Sequence, residues 1–422
     1  MKIGLLQSGY EKLVNRMTKE TNIEFDKFPV AGVRLGTACA GIKKGNSDKA
    51  DVVLIELADG TQTAAVFTQN AFCAAPVTLS KRHLSKSKPK YLLINTGNAN
   101  AGTGDRGYAD ALACCNYVAD TASVNTSSVL PFSTGVIGEY LPLDKFPAAI
   151  QIAYENLSDD NWHDAAFGIL TTDTIPKAFT RVLSVEGENI TISGIAKGSG
   201  MIRPDMATML AYIATDAKVE QPLLQQCLVE AVNHSFNRIT VDGDTSTNDS
   251  AILMATGQSN IELKQDSGSL ALFQQALTNV CEELAKEMIR DGEGATKLIS
   301  VAVSGCKNEQ EAKDVAYTVA HSPLVKTAFF ASDPNWGRIL AAVGRAGITD
   351  FDLSKVNIEL DDVSIVHNGE KSADYTEERG QAIMDQSDIT IHIDLARGDN
   401  HITVWTCDFS YDYVRINAEY RT

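Results

Sequence analysis

At 422 residues the chain exceeds what one ordinary core holds, which implies two domains or two intimately packed halves. Hydrophobic content of 44% and charged content of 22% describe a globular chain, and a formal net charge of −17 argues against nucleic acid as a partner, since phosphate binding needs a basic face. The opening MKIGLLQSGYEKL has no apolar core followed by a small-residue cleavage site, and no later apolar run approaches a membrane span, which points to a cytoplasmic protein.

From Phe28 to Val77, short β-rich runs alternate with turn signals: VAGVRLGTACAGIKKG, DVVLIEL, a turn at Ala58-Asp59-Gly60, then TAAVFTQN. This predicts a sheet built early in the chain, with Lys43 and Lys44 as solvated turn charges. The apolar run Tyr91 to Ile94 ends in a polar, glycine-rich loop, Asn95 to Gly107, that feeds a helix from Tyr108 to about Thr121. Such a loop can hold phosphate through backbone N–H groups. GTGDRG, however, completes no dinucleotide fingerprint and lacks the GK[ST] of a P-loop, so a tight structural connection is the better reading.

SVLPFSTGVIGEYLP places Ser133, Thr134 and Gly135 directly after a short strand. A backbone N–H beside a glycine, assisted by a hydroxyl, can meet the oxyanion of an acyl-transfer intermediate; a plain turn with Gly135 at positive φ fits the same text. Helical text follows in DKFPAAIQIAYENL and DDNWHDAAFGIL. In TTDTIPKAF, Thr171, Thr172, Asp173 and Thr174 suit a turn rich in side-chain-to-backbone bonds.

The central stretch, Lys197 to Ala217, reads KGSGMIRPDMATMLAYIATDA: a flexible polar half, then an apolar strand from Met209 to Ala214. Between them lies Ala207-Thr208. A hydroxyl residue after a small one at such a junction suits self-cleavage, in which the Thr hydroxyl attacks the preceding carbonyl and the ester hydrolyses. The chain then begins with Thr208, whose α-amino group, with an ordinary pKa of roughly 8, can serve its own hydroxyl as base. A loop that merely feeds a core strand is the ordinary alternative. Lys197 is a cation on a glycine-flanked loop, suited to a substrate carboxylate or simply to solvent.

An amphipathic segment, Val219 to Phe236, leads to RITVDGDTSTNDSAILMA, where Asp242, Asp244 and Asp249 stand among hydroxyls. DGDTSTND lacks the spacing and terminal Glu of a calcium loop, so a hydrogen-bonded loop is expected. A long helix from about Leu270 to Ile289 ends at DGEGATKLISVAV, which presents Glu293 between glycines, either toward a cavity or as a solvated turn acid. A helix spans about Glu309 to His321, and Pro334 and Asn335 start another that carries Trp336 and Arg338 in a packing role. The β-rich runs VNIEL, DITIHIDL and HITVWTCDF close with YVRINAEYRT, a polar terminus of the kind that frays. The eight cysteines form no CxxC and the seven histidines no HxxxH or HxH, so neither set argues for a metal. The fold class expected is α/β, with mixed sheets layered between helices in two lobes that share one site.

The phrases GIKKG, VFTQNAFCAAPV, NTGNANAGTG, STGVIGE, TTDT, KGSGMI-x-P-x-MATML, VDGDTSTND, ASDPNWGR and INAxYRT, in this order, resemble the ornithine acetyltransferase family, the bifunctional glutamate N-acetyltransferases of arginine biosynthesis. The resemblance implies transfer of the acetyl group of N-acetylornithine to glutamate through an acetyl-Thr208 ester, after cleavage of the Ala207–Thr208 bond into an alpha chain, residues 1–207, and a beta chain, residues 208–422. It implies Thr134 and Gly135 as the oxyanion site and Thr171, Lys197, Thr208, Glu293, Asn417 and Thr422 as substrate contacts, with no metal or cofactor. Some members also use acetyl-CoA as donor, and the two chains are expected to associate as a heterotetramer of two each. Arg203 and Asp205 stand where the family more often has His and Asn. Two other classes fit parts of the text: an N-terminal-nucleophile amidase or aminopeptidase with water as acceptor, and a binding protein that never cleaves itself.

Overall fold

The computed structural model describes residues 29–43, 49–185, 187–203 and 209–419. The expectations for Lys44, Asp205, the Ala207–Thr208 bond, Thr208 and Thr422 therefore lie outside the described residues.

Two sheets stack face to face. The first orders its strands Val33–Ala38, Val52–Leu57, Tyr91–Asn98 and Val129–Val136. The second orders Gln62–Phe67, Ser250–Ala255, Leu210–Thr215, Glu188–Lys197 and Lys177–Val185. Leu210–Thr215 is its centre, parallel to Ser250–Ala255 and antiparallel to Glu188–Lys197. Every residue of these two parallel strands is buried, and the reason is legible in their side-chain period of two. Leu210, Tyr212, Ala214, Ile252 and Met254 face the first sheet, where Tyr212 meets Phe132 edge to face at 5.3 Å. Ala211, Ile213, Ala251 and Leu253 face the helices Gln221–Asn233 and Gly268–Arg290.

The outer face of the first sheet carries Val52, Leu54 and Leu93 against the helices Gly104–Ala122 and Phe146–Glu155. The layers thus run helix, sheet, sheet, helix. The second sheet takes Gln62–Phe67, Lys177–Val185 and Glu188–Lys197 from before position 208 and Leu210–Thr215 and Ser250–Ala255 from after it. A break at that position would leave two chains sharing one sheet.

A further sheet, centred on Leu298–Cys306 between Asn400–Cys407 and Asp388–Asp394, has its own core with the helices Glu309–Ala320, Pro323–Phe330 and Trp336–Gly344. The helix starts follow local chemistry. Ser267 accepts from Leu270 N at 3.1 Å, and Asn335 accepts from Arg338 N at 3.1 Å, as the position after Pro334 predicts. The architecture is mixed α/β with several mixed sheets, as expected.

Two differences stand out. The end of the stretch Phe28 to Val77, expected to be β-rich runs and turns, is instead helical: Ala75–Leu84 is a helix with Pro76 in its first turn. The segment expected to fray is helical as far as it is described, over Tyr411–Glu419. The Ser410 hydroxyl accepts from the backbone N–H groups of Asp412 and Tyr413, and the Tyr413 ring stacks on Phe409 at 4.8 Å.

Candidate active site

A cavity of about 270 Å³ opens where the ends of these strands meet. Its walls include Thr134, Gly135, Thr171, Lys197, Glu293 and Asn417, together with Met209, the residue after Thr208. Six residues singled out by sequence, from positions as far apart as 134 and 417, are therefore brought together.

Gly135 sits at φ 133° at the end of Val129–Val136. A Cβ there would overlap the backbone of Gly97 and Asn98 on the neighbouring strand, so the close approach itself requires glycine. The segment is held from outside by Asn248, which donates to the carbonyls of Ala99 at 2.7 Å and Ser133 at 2.8 Å. The Thr134 hydroxyl accepts from Lys197 Nζ at 3.3 Å, which leaves its own hydrogen for the cavity.

Lys197 ends its strand with a nearly inaccessible side chain. Burial pushes its pKa down, against the pull of Asp173, 3.9 Å away. Asp173 is the hub of this wall. It accepts from the N–H of Thr171 at 3.0 Å and of Gly198 at 2.7 Å, and from Lys177 Nζ at 2.5 Å. Lys177 reaches Asp291 at the same distance, and Asp291 also accepts from the N–H of Thr174 at 2.9 Å. Burial raises the pKa of Asp173, but Lys177, Lys197 and the hydrogen bonds more than reverse it, so the carboxyl is held well below its usual range. For Lys177 burial acts downward and the two carboxylates prevail, raising it.

Glu293 is buried on the loop after Gly268–Arg290, where its N–H donates to Ser199 O at 2.7 Å and its Oε2 accepts from Asn417 at 2.8 Å. Gly200 packs against this carboxyl so closely that a Cβ would overlap it. The Ser199 and Thr172 hydroxyls lie 2.6 Å apart. The cavity thus brings together the Thr134, Thr171 and Thr172 hydroxyls, the buried Lys197 amine and the Glu293 carboxyl. That is an arrangement for an acyl group carried by a zwitterionic molecule. Among the described residues no group of three His, Cys, Asp or Glu side chains is placed to share a metal ion, and no helix is long and apolar enough to cross a membrane.

The sequence profile of the ArgJ family matches residues 34–422. This chain belongs to the ArgJ family. It is 58% identical over 395 residues to the arginine biosynthesis bifunctional protein ArgJ of Methylococcus capsulatus, 93% of this chain and 96% of that one. It is 55% identical over 396 residues to that of Pseudomonas fluorescens, covering 93% and 97%. A solved ArgJ of Bacillus halodurans is 42% identical and matches 48% of this chain and 95% of its own, with TM-score 0.46. The ornithine acetyltransferase of Mycobacterium tuberculosis, solved with ornithine, is 32% identical over 42% of this chain and 93% of its own, with TM-score 0.37. The resemblance read from the sequence phrases is borne out: as an ArgJ member the protein is an acetyltransferase of arginine biosynthesis.

Several residues of this ArgJ site had no distinct signal. Asp173 lies inside the TTDT phrase, where only Thr171 is expected to touch substrate. Lys177 and Asp291 read as an ordinary strand lysine and helix-end acid; only the fold reveals that they meet. Asn248 and Asp249 belong to the loop DGDTSTND, whose acid density marks it without separating structural from functional members. Arg203 is exposed, and its charge adds to the burial that pushes the His321 imidazole's pKa down.

Proposed function

We propose that the protein transfers the acetyl group of N-acetylornithine to glutamate through an ester on Thr208, giving ornithine and N-acetylglutamate. The observation that carries this reading is the convergence of Thr134, Gly135, Thr171, Lys197, Glu293 and Asn417 on one cavity that also touches Met209.

The Thr208 hydroxyl first attacks the Ala207 carbonyl, its acyl group moves from nitrogen to oxygen, and water hydrolyses the ester, freeing the Ala207 carboxylate and the Thr208 amine. In the transfer, that amine takes the hydroxyl proton as the oxygen attacks the acetyl carbonyl. The Thr134 hydroxyl and the Gly135 backbone receive the oxyanion, and the proton leaves with the α-amine of ornithine. The α-amine of glutamate then attacks the ester, and the Thr208 oxygen regains its proton. Lys197 suits the α-carboxylate common to donor and acceptor, and Glu293 suits the distal amine of ornithine. Thr422 is a further contact in this reading, and the chains 1–207 and 208–422 remain together as a heterotetramer of two each.

The test is to incubate the purified protein with N-acetylornithine, with and without glutamate, while weighing its chains by mass spectrometry. N-acetylglutamate formed only with glutamate, by a protein broken between 207 and 208, is expected. Equal release of acetate in both tubes would instead make water the acceptor. Replacing N-acetylornithine by acetyl-CoA in the same assay decides whether this member takes the second donor.

A further inference from the structure

The Asp173 side chain has no solvent access and stands one layer behind the cavity, whose wall carries Thr171 and Lys197. Its Oδ2 accepts from the Thr171 N–H at 3.0 Å and from the Thr171 hydroxyl at 3.4 Å, and lies 3.9 Å from Lys197 Nζ. Its Oδ1 accepts from the Gly198 N–H at 2.7 Å and from Lys177 Nζ at 2.5 Å. One carboxylate therefore fixes the turn that presents Thr171 and the backbone just past the strand Glu188–Lys197, and it faces the amine at that strand's end. The mechanism above gives Asp173 no part.

Lys197 is the one cation among the described residues that line the cavity. The charged groups felt there are Asp173, Lys177 from the strand Lys177–Val185, Asp249 from the start of Ser250–Ala255, and Glu293 from the loop after Gly268–Arg290; Lys43 in turn feels Lys197. Of the three acids, Asp173 is the one within ion-pair distance. Burial pushes Lys197 down, and Asp173 opposes this most strongly. Lys177 sits 2.5 Å from both Asp173 and Asp291, so with Lys197 the four side chains balance two carboxylates against two ammoniums. An ammonium carries three N–H donors. With Thr134 Oγ1 at 3.3 Å and Asp173 served, one remains for the cavity.

We propose that Asp173 is a positioning residue for substrate recognition, aiming the Lys197 ammonium and the Thr171 turn at the α-carboxylate common to N-acetylornithine and glutamate. The assignment rests on the reading of Lys197 as the contact for that carboxylate. Asp173 acts through Lys197 and does not itself touch the substrate. Its second effect is on charge. An ammonium in a nearly closed site persists because an anion stands beside it; without that anion the proton leaves at lower pH. The neutral amine that results holds a carboxylate far less well than an ammonium does.

The test follows kcat/KM for N-acetylornithine against pH in wild type, Asp173→Asn, Lys197→Arg and the double variant. The amide keeps the shape of the carboxyl and one acceptor oxygen while removing the charge. Asp173→Asn should raise KM by about 10-fold or more at the alkaline end, with a smaller fall in kcat. Its alkaline limb should begin about one unit or more lower than in wild type. A guanidinium does not titrate in this range, so in the Lys197→Arg background the same change at 173 should leave the limb in place. A purely structural role would instead scale activity by one factor at every pH in both backgrounds. An unmoved limb in folded Asp173→Asn would overturn the assignment, as would an equal shift in the Lys197→Arg background. A second measurement needs no variant: an amine-reactive reagent, with the Lys197 peptide read by mass, should label wild-type Lys197 only above the pH of maximal activity. Labelling as a free amine at that pH would overturn the assignment whether or not Asp173→Asn folds. A wild type that transfers no acetyl group from N-acetylornithine would remove the proposed function and the assignment together, whereas transfer with an unmoved limb would remove the assignment alone.

Discussion

Asn417, on the C-terminal helix Tyr411–Glu419, donates through Nδ2 to Oε2 of Glu293 over 2.8 Å. The two stand on separate elements of the chain, and the bond pins an exposed helix to a buried carboxylate at the cavity wall. Because Asn417 itself is exposed, its loss should leave the fold intact and release the Glu293 carboxylate from its orientation. A hydrogen bond to a charged group contributes about 1.5–3 kcal/mol. Asn417→Ala should therefore raise KM for N-acetylornithine by about 10-fold or more, with a melting temperature within a few degrees of wild type. Steady-state kinetics and calorimetry check this, and combining it with Glu293→Gln should give less than the sum of the two effects, since both changes act on one contact.

The ion triad Asp173–Lys177–Asp291 predicts a different balance. The Lys177 side chain has no solvent access, and it neutralises two carboxylates that hold the backbone of Thr171, Thr174 and Gly198. Lys177→Met keeps the apolar stem but leaves two buried acids facing one another. Breaking a buried ion pair from one side costs about 3–5 kcal/mol, so the urea midpoint should fall sharply. Adding Asp291→Asn to Lys177→Met should recover part of that loss, because one of the stranded charges is removed.

How much of this was legible in the sequence depended on the range over which each signal acts. Leu210–Thr215 and Gly268–Arg290 were readable because apolar period and capping are local properties. Five of the six cavity residues were readable because each sits in a phrase shared with the family, and Glu293 because two glycines present it on a loop before a strand. Lys177 was not, since its meaning lies in a meeting with Asp291 across 114 positions. Neither was the C-terminal helix, whose polar face looks like a fraying end until Asn417 finds Glu293. Asp249 was hidden for a subtler reason: nothing local separates an acid whose two oxygens are both engaged, as those of Asp242 are by Met201 and Ile202, from one with a buried oxygen left unpartnered.

His321 gives a prediction in pH. It follows the helix Glu309–Ala320, lies 3.0 Å from the Thr240 hydroxyl, and is pushed down to about 4 by burial first and then by Arg203, Lys326 and Arg345. An unfolded histidine titrates near 6.5, so between about 6.5 and about 4 the unfolded chain binds a proton that the folded one refuses. That contribution is fully present above about 6.5 and is lost as pH falls toward about 4, below which it is constant. His321→Gln should flatten this part of the stability curve, and thermal melts of both proteins from pH 7 to pH 4 measure it. A decline equally steep in the variant would assign the acid sensitivity to other groups.

Thr134 and Gly135 are adjacent, yet their substitutions should fail in different ways. Thr134→Val preserves the β-branched shape and removes only the hydroxyl, so the strand end and the Gly97 contact persist. Removing one oxyanion donor costs about 10²–10³-fold in kcat; that loss is expected here, with an unchanged melting temperature. Thr134→Ser, which restores the donor, should recover most of it. Gly135→Ala acts on the backbone instead. At φ 133° an L side chain is strained, and the new Cβ would meet the Gly97 carbonyl carbon and the Asn98 nitrogen, neither of which can rotate away. Strain of this kind costs on the order of 1–3 kcal/mol before the clash is counted. Gly135→Ala should thus lower both stability and kcat, with no serine-like rescue available. If Thr134→Val destabilised the protein as much as Gly135→Ala, the Thr134 hydroxyl would be a structural acceptor for Lys197 and not a donor to the oxyanion.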